Sequence, residues 1–274
     1  MKWTPGDRSP NLEDRRSSGG MGRGLGIGGT VVVLALSLLF GRNLFQDLGV
    51  EPGVATNAPM SAADSAAQEG EVQFISALLD DVQGTWANVL PSAGTPFHPA
   101  KLVLFRDATP SGCGPAQSAM GPFYCPLDER VYLDLGFFDE LKQRFGASGD
   151  FAQAYVVAHE LGHHVQHLLG TDARARQQQE SNPGAANEIS VHLELQADCY
   201  AGVWGHSAEQ RGKLEAGDVD EALNAASAVG DDRIQSRTTG RINVDSFTHG
   251  SAAQRSAAFK RGFESGDPRT CNSV

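Results

Sequence analysis

The sequence predicts a predominantly helical α+β domain that follows one N-terminal transmembrane helix. Three observations support this prediction. An uncharged apolar run lies near the N-terminus, apolar residues recur at three- and four-residue steps over much of the remaining chain, and two short β-favouring runs precede residue 136. Because 40% of the 274 residues are hydrophobic and 20% are charged, most of the chain can form a core.

The first element is the apolar run from Gly24 to Gly41, which follows five basic side chains. As a helix it would be about 27 Å long, close to the roughly 30 Å hydrocarbon core of a bilayer. We therefore expect a cytoplasmic basic tail over residues 1–24, an inner-membrane anchor over residues 25–44, and the domain outside, by the positive-inside rule. A cleaved signal peptide and a buried core helix are the alternatives, although no small-x-small cleavage site follows the run.

The remaining elements are assigned in chain order. Residues 45–70 are rich in Ala, Ser, Pro, Asn and Gly and predict a flexible linker, so the folded domain is expected over residues 71–274. The domain begins with a predicted amphipathic helix over 71–90. Strands are expected at 101–105 and 130–135, with a Gly/Pro-rich loop between them. Further helices are expected at 137–145, 151–169, 186–206, 218–229 and 251–264.

Charge restricts the class of partner. The 33 acidic residues outnumber the 22 Lys and Arg residues, which gives a formal net charge of −11. Nucleic-acid binding draws its affinity from clustered Lys and Arg, so a nucleic-acid partner is not expected. We expect a peptide or protein substrate and a membrane as partners; the sequence does not indicate an oligomeric state.

Four cysteines fit a domain outside the cytoplasm, where an even count indicates disulfides. Three pairings are possible. We favour Cys113–Cys125, which closes the Gly/Pro-rich loop, together with Cys199–Cys271, which ties down the C-terminal tail. A cysteine zinc site is the alternative, but the chain has no C-x-x-C pair.

The most informative motif is His-Glu-Leu-Gly-His, from His159 to His163, within the predicted helix over 151–169. Residues four apart on a helix lie on one face, so both imidazoles can reach one ion. Glu160 stands beside them and can take the proton of a metal-bound water without being a ligand. This is the logic of H-E-x-x-H zinc hydrolases. A close backbone approach would explain Gly162 inside the helix.

A catalytic zinc takes three protein ligands, so a third is expected on another element. The helix over 186–206 offers Glu188, His192, Glu194 and Asp198. Glu194 and Asp198 share a face, which allows Glu194 to bind the metal while Asp198 accepts a hydrogen bond from a ligand histidine. Glu188 and His192 share a different face, and both could simply be solvated.

These motifs resemble the gluzincin pattern, in which H-E-x-x-H is followed by E-x-x-x-D. The basic N-terminus, the single anchor, Glu-Leu-Gln-Ala-Asp-Cys-Tyr-Ala-Gly-Val-Trp and the tail Lys-Arg-Gly-Phe-Glu-Ser-Gly-Asp extend the similarity to a bacterial family of neutral zinc metallopeptidases. The resemblance implies a zincin-like domain with a small β-sheet and a Zn²⁺ cofactor. It also implies His159, His163 and Glu194 as ligands and Glu160 as the catalytic base.

Other histidines have less specific surroundings. A shifted site built on His163 and His167 would have His164 where the base must be, so we interpret His164 and His167 as surface residues in the C-terminal half of the helix. His249 precedes a predicted helix and is a possible stabiliser of the developing oxyanion, a role that Tyr155 or Arg255 could also take.

We therefore expect a membrane-anchored zinc metallopeptidase, which hydrolyses peptide bonds through an activated water. Two alternatives remain open. The first is a non-catalytic scaffold or adaptor of the cell envelope that keeps the fold, and the second is a zinc amidase that acts on cell-wall peptide. An intact base at Glu160 disfavours the scaffold, because a structural zinc site closes with four ligands and needs no base.

Overall fold

The computed structural model describes residues 1–17, 66 and 68–273, so the predicted anchor over 25–44 lies outside the described residues. Among the residues described, no helix is both long and apolar enough to cross a bilayer. The described part of the chain forms eight α-helices: α1 (Glu69–Ser92), α2 (Gly136–Phe145), α3 (Asp150–Leu168), α4 (Thr171–Ser181), α5 (Ala186–Gln210), α6 (Asp218–Ala228), α7 (Asp231–Thr238) and α8 (Ala252–Ser265). With two small sheets, they confirm the predicted α+β class.

One sheet has four strands in the order β1-β2-β6-β5, with β1 (Leu12–Asp14), β2 (Lys101–Phe105), β5 (Phe123–Cys125) and β6 (Arg130–Asp134). The strands β1, β2 and β6 are parallel, whereas β5 is an antiparallel edge strand. The central strand β2 is buried at all but its first residue, which is why its sequence is a continuous apolar run.

The segment between β2 and β6 differs from the loop that the sequence predicts. It contains the hairpin of β3 (Ala108–Ser111) and β4 (Gly114–Gln117) as well as the edge strand β5. Gly, Pro and Ser make up half of β3 and β4, and β5 is only three residues long, so none of these strands shows the β-branched alternation by which strands are recognised. The segment therefore forms a β-rich wall beside the helices.

The N-terminal residues also differ from the expected free tail, because residues 1–17 pack against the domain. Strand β1 aligns Leu12 with Leu102 in parallel register, and the indole of Trp3 lies 5.4 Å from the ring of Phe74 on α1. The guanidinium of Arg16 donates a hydrogen bond to the side-chain oxygen of Gln68 at 3.0 Å. Arg16 and Gln68, which lie on either side of residues 18–65, are thus in direct contact.

The core is centred on α3, which packs against α1, α5 and α6, while α8 packs against α5 and α6 and one face of the four-stranded sheet completes it. The helices α5 and α8 make the closest contact, and glycine allows it. A Cβ atom at Gly202 would collide with the carbonyl of Phe259, and one at Gly262 would collide with the carbonyl of Cys199. This close crossing sets the position of α8 against α5.

Both expected disulfides are confirmed. Cys113 pairs with Cys125 across the β-rich wall, with Cα atoms 5.8 Å apart. Cys199 on α5 pairs with Cys271 near the C-terminus, with Cα atoms 5.5 Å apart. The second bond fixes the C-terminal residues against α5, and each closed loop should contribute about 2–4 kcal/mol to the stability of the domain.

Candidate active site

Helix α3 carries the H-E-x-x-H motif through the centre of the domain. It begins after Gly149, whose φ of 114° few other residues tolerate, and it ends shortly before Gly170, whose φ is 66°. Asp150 is the first helical residue and does not cap the helix; the carboxylate of Glu221 instead accepts a hydrogen bond from the amide of Phe151 at 3.1 Å. Helix α3 therefore depends on another helix, α6, for its first turn.

The expected close approach at the middle of α3 is confirmed. A Cβ atom at Gly162 would lie 3.0 Å from the carbonyl oxygen of Ala197 and 3.2 Å from its Cα atom. Since Ala197 is on α5 between Glu194 and Asp198, this glycine lets the two motif helices approach each other at the height of the candidate ligands.

Three side chains from these helices converge. The Nε2 atom of His159 lies 3.2 Å from one carboxylate oxygen of Glu194, and Nε2 of His163 lies 3.4 Å from the other. One donor atom from each residue lies within 4.8 Å of the other two. Glu188 and His192 are 77% and 58% exposed, and neither belongs to this cluster.

Behind this cluster, Asp198 is fully buried and binds the far side of His159. Its Oδ1 atom lies 2.8 Å from Nδ1 of His159 and accepts a hydrogen bond from the hydroxyl of Tyr155 at 2.5 Å. Arg255 on α8 donates to both oxygens of Asp198, at 2.8 and 2.9 Å. Tyr155 and Arg255 thus orient Asp198, although both also line the cleft above the cluster.

Gln166 gives the second histidine a similar support, which the sequence did not indicate. Its Oε1 atom lies 2.8 Å from Nδ1 of His163, while its Nε2 atom donates to the carbonyl of Leu193 at 2.7 Å and to Gln196 at 3.0 Å. Because Oε1 can only accept, Nδ1 of His163 must carry the proton and Nε2 faces Glu194. The position of Gln166, one turn after His163 on α3, is the sequence signal that could have identified this residue.

The charges in the cluster reinforce one another. Burial lowers the pKa of His159, but Asp198 and Glu194 outweigh this effect and raise it to about 10. Burial raises the pKa of Glu194, but the charge of His163 outweighs it and holds that pKa well below its usual range. For Tyr155, burial raises the pKa well above its ordinary value, so the hydroxyl stays protonated and donates.

The donor set fits a zinc ion. Two imidazole Nε2 atoms and one carboxylate are the ligands of many catalytic zinc sites, and each histidine has a hydrogen-bond acceptor on its other nitrogen. The same acceptors keep the Nδ1–H tautomer that leaves Nε2 free for a metal. A second acidic cluster, of Asp150, Asp218 and Glu221, contains no nitrogen ligand and lies at the start of α3.

Glu160 lies at the base of the cleft beside these ligands. Its side chain is only 7% exposed, and it forms no hydrogen bond or ion pair with the residues that the structure describes. A carboxylate in this position is free to bind a water molecule or a substrate proton.

The cleft has a volume of about 480 Å³ and lies between the helices and the β-rich wall. The wall contributes Phe123 and Tyr124 from the edge strand β5, and the helical side contributes Val156 and Leu193. Ile234 on α7 adds a further apolar side chain. The metal-site cluster is thus at the bottom of a groove whose sides are mostly apolar.

His164 differs from the expectation that it is a surface residue, because it is only 1% exposed. Its Nε2 atom lies 2.8 Å from the carbonyl of His98 and must donate to it, so Nδ1 accepts from the hydroxyl of Tyr124 at 3.0 Å. Burial lowers its pKa and keeps it neutral. His164 therefore fastens β5 to α3. His167 is partly exposed and lies 2.8 Å from the carboxylate of Asp172.

His249 lines the cleft, as its suggested role requires. Its Nδ1 atom lies 3.2 Å from Oδ1 of Asp231 and 3.0 Å from the hydroxyl of Thr248. The hydrogen bond to Asp231 raises the pKa of His249, and burial only partly opposes it. The side chain is half exposed, so its Nε2 edge is available to a bound molecule.

Two histidines on one helix and a carboxylate on a second helix, with a glutamate beside them, form a candidate zinc centre. A family model described as "Putative neutral zinc metallopeptidase" matches residues 1–274. The chain belongs to this family, and the resemblance seen in its motifs is confirmed.

Relatives in two bacterial groups match most of the chain. The uncharacterized protein YpfJ of Escherichia coli K12 is 47% identical over 281 residues, which cover 99% of this chain and 98% of YpfJ. The uncharacterized proteins Mb2605 of Mycobacterium bovis and Rv2575 of Mycobacterium tuberculosis are each 42% identical over 251 residues, which cover 82% of this chain and 83% of theirs. No solved structure matches the chain.

Proposed function

We propose that the protein is a zinc-dependent metallopeptidase that hydrolyses peptide bonds with Glu160 as general base. The observation that carries this proposal is the convergence of His159, His163 and Glu194 at the base of a cleft, beside a glutamate that has no hydrogen-bond partner among the described residues. A site that only stabilised the fold would need no such base and would be expected to close around its metal with a fourth ligand.

Each residue has a separate role in this proposal. Zinc held by the three ligands would polarise the scissile carbonyl and acidify a water molecule. Glu160 accepts the proton of that water and passes it to the leaving amine nitrogen as the C–N bond breaks. Asp198 keeps His159 in the tautomer that presents Nε2. His249 donates a hydrogen bond to the carbonyl oxygen as its negative charge develops.

The cleft supports an extended polypeptide as substrate. Among the described strands β5 pairs with β6 alone, so its other edge offers unpaired backbone groups along the wall of the cleft. A peptide can add to such an edge as a further strand, with its side chains in pockets on alternate sides. Phe123 and Val156 favour an apolar side chain near the cleaved bond.

We also propose that the domain works in an oxidising compartment outside the cytoplasm. Two disulfides support this location, because such bonds persist where thiols are not kept reduced. The expected single-pass arrangement is not supported, since the hydrogen bond between Arg16 and Gln68 joins the two flanks of residues 18–67. We therefore propose that residues 1–17 lie on the same side of any membrane as the domain.

The decisive experiment separates metal binding from catalysis. Purified protein should bind one zinc ion per chain and cleave peptides in a proteome-derived library. Glu160→Gln should retain the zinc but lose roughly 10²–10⁴-fold in rate, because only the base is removed. Glu188→Gln, a change at an exposed glutamate on α5, is the matched control and should alter neither property.

Three outcomes would redirect the proposal. Cleavage of cell-wall peptide amides, with no cleavage of the peptide library, would identify an amidase. Zinc binding without hydrolysis of either substrate class, together with full function of Glu160→Gln in a deletion strain, would indicate an envelope scaffold. If the purified protein binds no zinc, His159, His163 and Glu194 do not form a zinc site.

A further inference from the structure

The loop that joins α7 to α8 carries two uncovered apolar side chains. Ile242 and Val244 are 56% and 68% exposed, and every residue from 236 to 246 is exposed. Apolar side chains scattered singly over a protein surface need no explanation, whereas a pair of them on one exposed loop is typical of an interaction surface.

This loop is held in place by specific hydrogen bonds. The amide of Asn243, which stands between the two apolar residues, donates to the side chain of Gln235 on α7 at 2.8 Å. The side chain of Asn187 on α5 donates to the carbonyl of Asp245 at 2.9 Å. The fold therefore holds the two apolar side chains in their exposed positions.

The same stretch is basic, although the protein as a whole is acidic. Residues 233–244 contain Arg233, Arg237 and Arg241 and no acidic residue, and all three arginines are exposed. The guanidinium of Arg237 donates to the carbonyl of Arg144 at 2.6 Å, which places the end of α2 beside α7. We call Arg233, Arg237, Arg241, Ile242 and Val244 the α7 surface.

The acidic side chains around the α7 surface are fewer than its arginines. Asp231 is only 8% exposed, and its carboxylate accepts the amides of residues 248–250. Asp232 accepts the first amide of α8 at 2.7 Å. Asp245 and Glu188 are exposed, so three exposed arginines stand against two exposed carboxylates and the charge presented to solvent is positive.

This combination of charge and apolar side chains fits an anionic lipid bilayer. Arginine attracts acidic headgroups, and a bilayer accepts protruding apolar side chains without a complementary pocket. A specific protein interface needs about 1,000 Å² of well-packed surface, which two side chains on an exposed loop do not supply. A nucleic acid would be repelled by the net charge of −11.

The position of the α7 surface agrees with the apolar run in the sequence. The uncharged residues from Gly24 to Gly41 have the composition of a lipid-buried segment, and Arg16 and Gln68 flank the segment that contains them. Both flanking residues line a pocket together with Glu140 of α2. Helix α2 has ten residues, about 15 Å in length, and its last turn contacts Arg237. The α7 surface is therefore about one helix length from these flanking residues.

We infer that the α7 surface is a docking site for an anionic lipid bilayer. The arginines bind the acidic headgroups, while Ile242 and Val244 enter the boundary between headgroups and acyl chains. Because Ile234 and His249 of the same segment line the cleft, docking holds the cleft beside the bilayer. The inference concerns lipid binding and is independent of the proposed peptidase activity.

The test uses the full-length chain with a fluorescent NBD probe on one new cysteine. No described cysteine is free, so the thiol-reactive probe labels only the new residue. Val244→Cys places the probe on the α7 surface. Glu209→Cys is the matched control, at an exposed position 22 residues along α5 from Asn187 and therefore about 33 Å away.

The vesicles are made of phosphatidylcholine with or without phosphatidylglycerol, and they carry a nitroxide-labelled lipid that quenches the probe on contact. At position 244 we expect quenching that requires phosphatidylglycerol and weakens with added salt, because the attraction is electrostatic. At position 209 we expect no quenching with either lipid mixture.

Three further variants, each labelled at position 244, separate charge from apolar contact. Arg233→Gln/Arg241→Gln should lower the ratio of quenched to unquenched probe by about 25-fold, since one arginine near an anionic surface contributes about fivefold. Ile242→Ser should lower this ratio at least about tenfold, because one buried apolar side chain is lost. Lys260→Gln/Arg269→Gln removes two exposed charges elsewhere and should leave the ratio unchanged.

The results that contradict the inference are specific. Equal quenching at positions 244 and 209, equal quenching with and without phosphatidylglycerol, or an unchanged ratio in Arg233→Gln/Arg241→Gln would overturn it. If the vesicles leave the probe at position 244 unquenched while an added unfolded polypeptide shields it, the α7 surface binds protein and the inference is wrong. Quenching that both surface variants reduce and the control variant keeps supports it.

Discussion

The Nδ1 atom of His159 lies 2.8 Å from Oδ1 of Asp198, a carboxylate that no solvent reaches. This contact joins the candidate metal ligands to a buried charge network, because Arg255 donates to both oxygens of the same carboxylate. The ligand geometry and the stability of the domain therefore depend on one residue. The first prediction separates these two contributions.

Asp198→Asn should weaken zinc binding by about 10–100-fold, since an amide holds the histidine less well than a carboxylate does. It should also reduce the free energy of unfolding by about 3–5 kcal/mol, because the buried charge of Arg255 loses its partner. Competition titration with a chelator and urea unfolding measure the two effects. The double variant Asp198→Asn/Arg255→Met should recover stability without recovering zinc affinity. Recovery of both properties would mean that Asp198 does not orient the ligand.

Glu194→Ala should remove tight zinc binding and leave the fold in place, because Glu194 supplies the only carboxylate in the described ligand cluster. Glu188→Ala, at an exposed position on the same helix, should bind zinc as the wild type does. Metal analysis of both proteins after dialysis against a weak chelator makes the comparison. Full zinc occupancy in Glu194→Ala would assign the third ligand to another residue.

Residues on both sides of the segment 18–67 should be accessible from the same side of the membrane. Asp7→Cys and Glu188→Cys place single new thiols at exposed positions in the N-terminal segment and in the domain. A membrane-impermeant maleimide added to spheroplasts should label both variants or neither. Labelling of one variant alone would restore the single-pass arrangement and would place the docked N-terminus in conflict with the cellular topology.

The residues of the two helical motifs were predictable from sequence, whereas the residues that hydrogen-bond to them and hold them in place were not. His159, Glu160 and His163 lie within one helical turn, so their geometry follows from helix periodicity alone. Glu194 and Asp198 follow the same rule on a second helix. Arg255 acts through a pairing across helices, which no short pattern in the sequence marks. Gln166 lies only three residues from His163, but its orientation depends on Leu193 and Gln196 of α5.

The elements of the fold also divide into those that the sequence predicts and those that it does not. The helices with an apolar stripe were predicted to within a few residues, because burial of that stripe forms them. The helix α4 is almost wholly polar and has no stripe to recognise. The strand β1 has only Leu12 as an apolar residue and is stabilised by pairing with β2, which is distant in the sequence. His164 was misassigned because its burial depends on the wall that β5 provides.

The hydrogen bond between Arg16 and Gln68 joins two residues that are 52 positions apart in the sequence. Loop-closure entropy grows only slowly with length, by about 0.6 kcal/mol for each doubling, so the cost of holding these two residues together depends weakly on how many residues lie between them. Relatives can therefore differ in the length of this segment while they keep the pairing of β1 with β2.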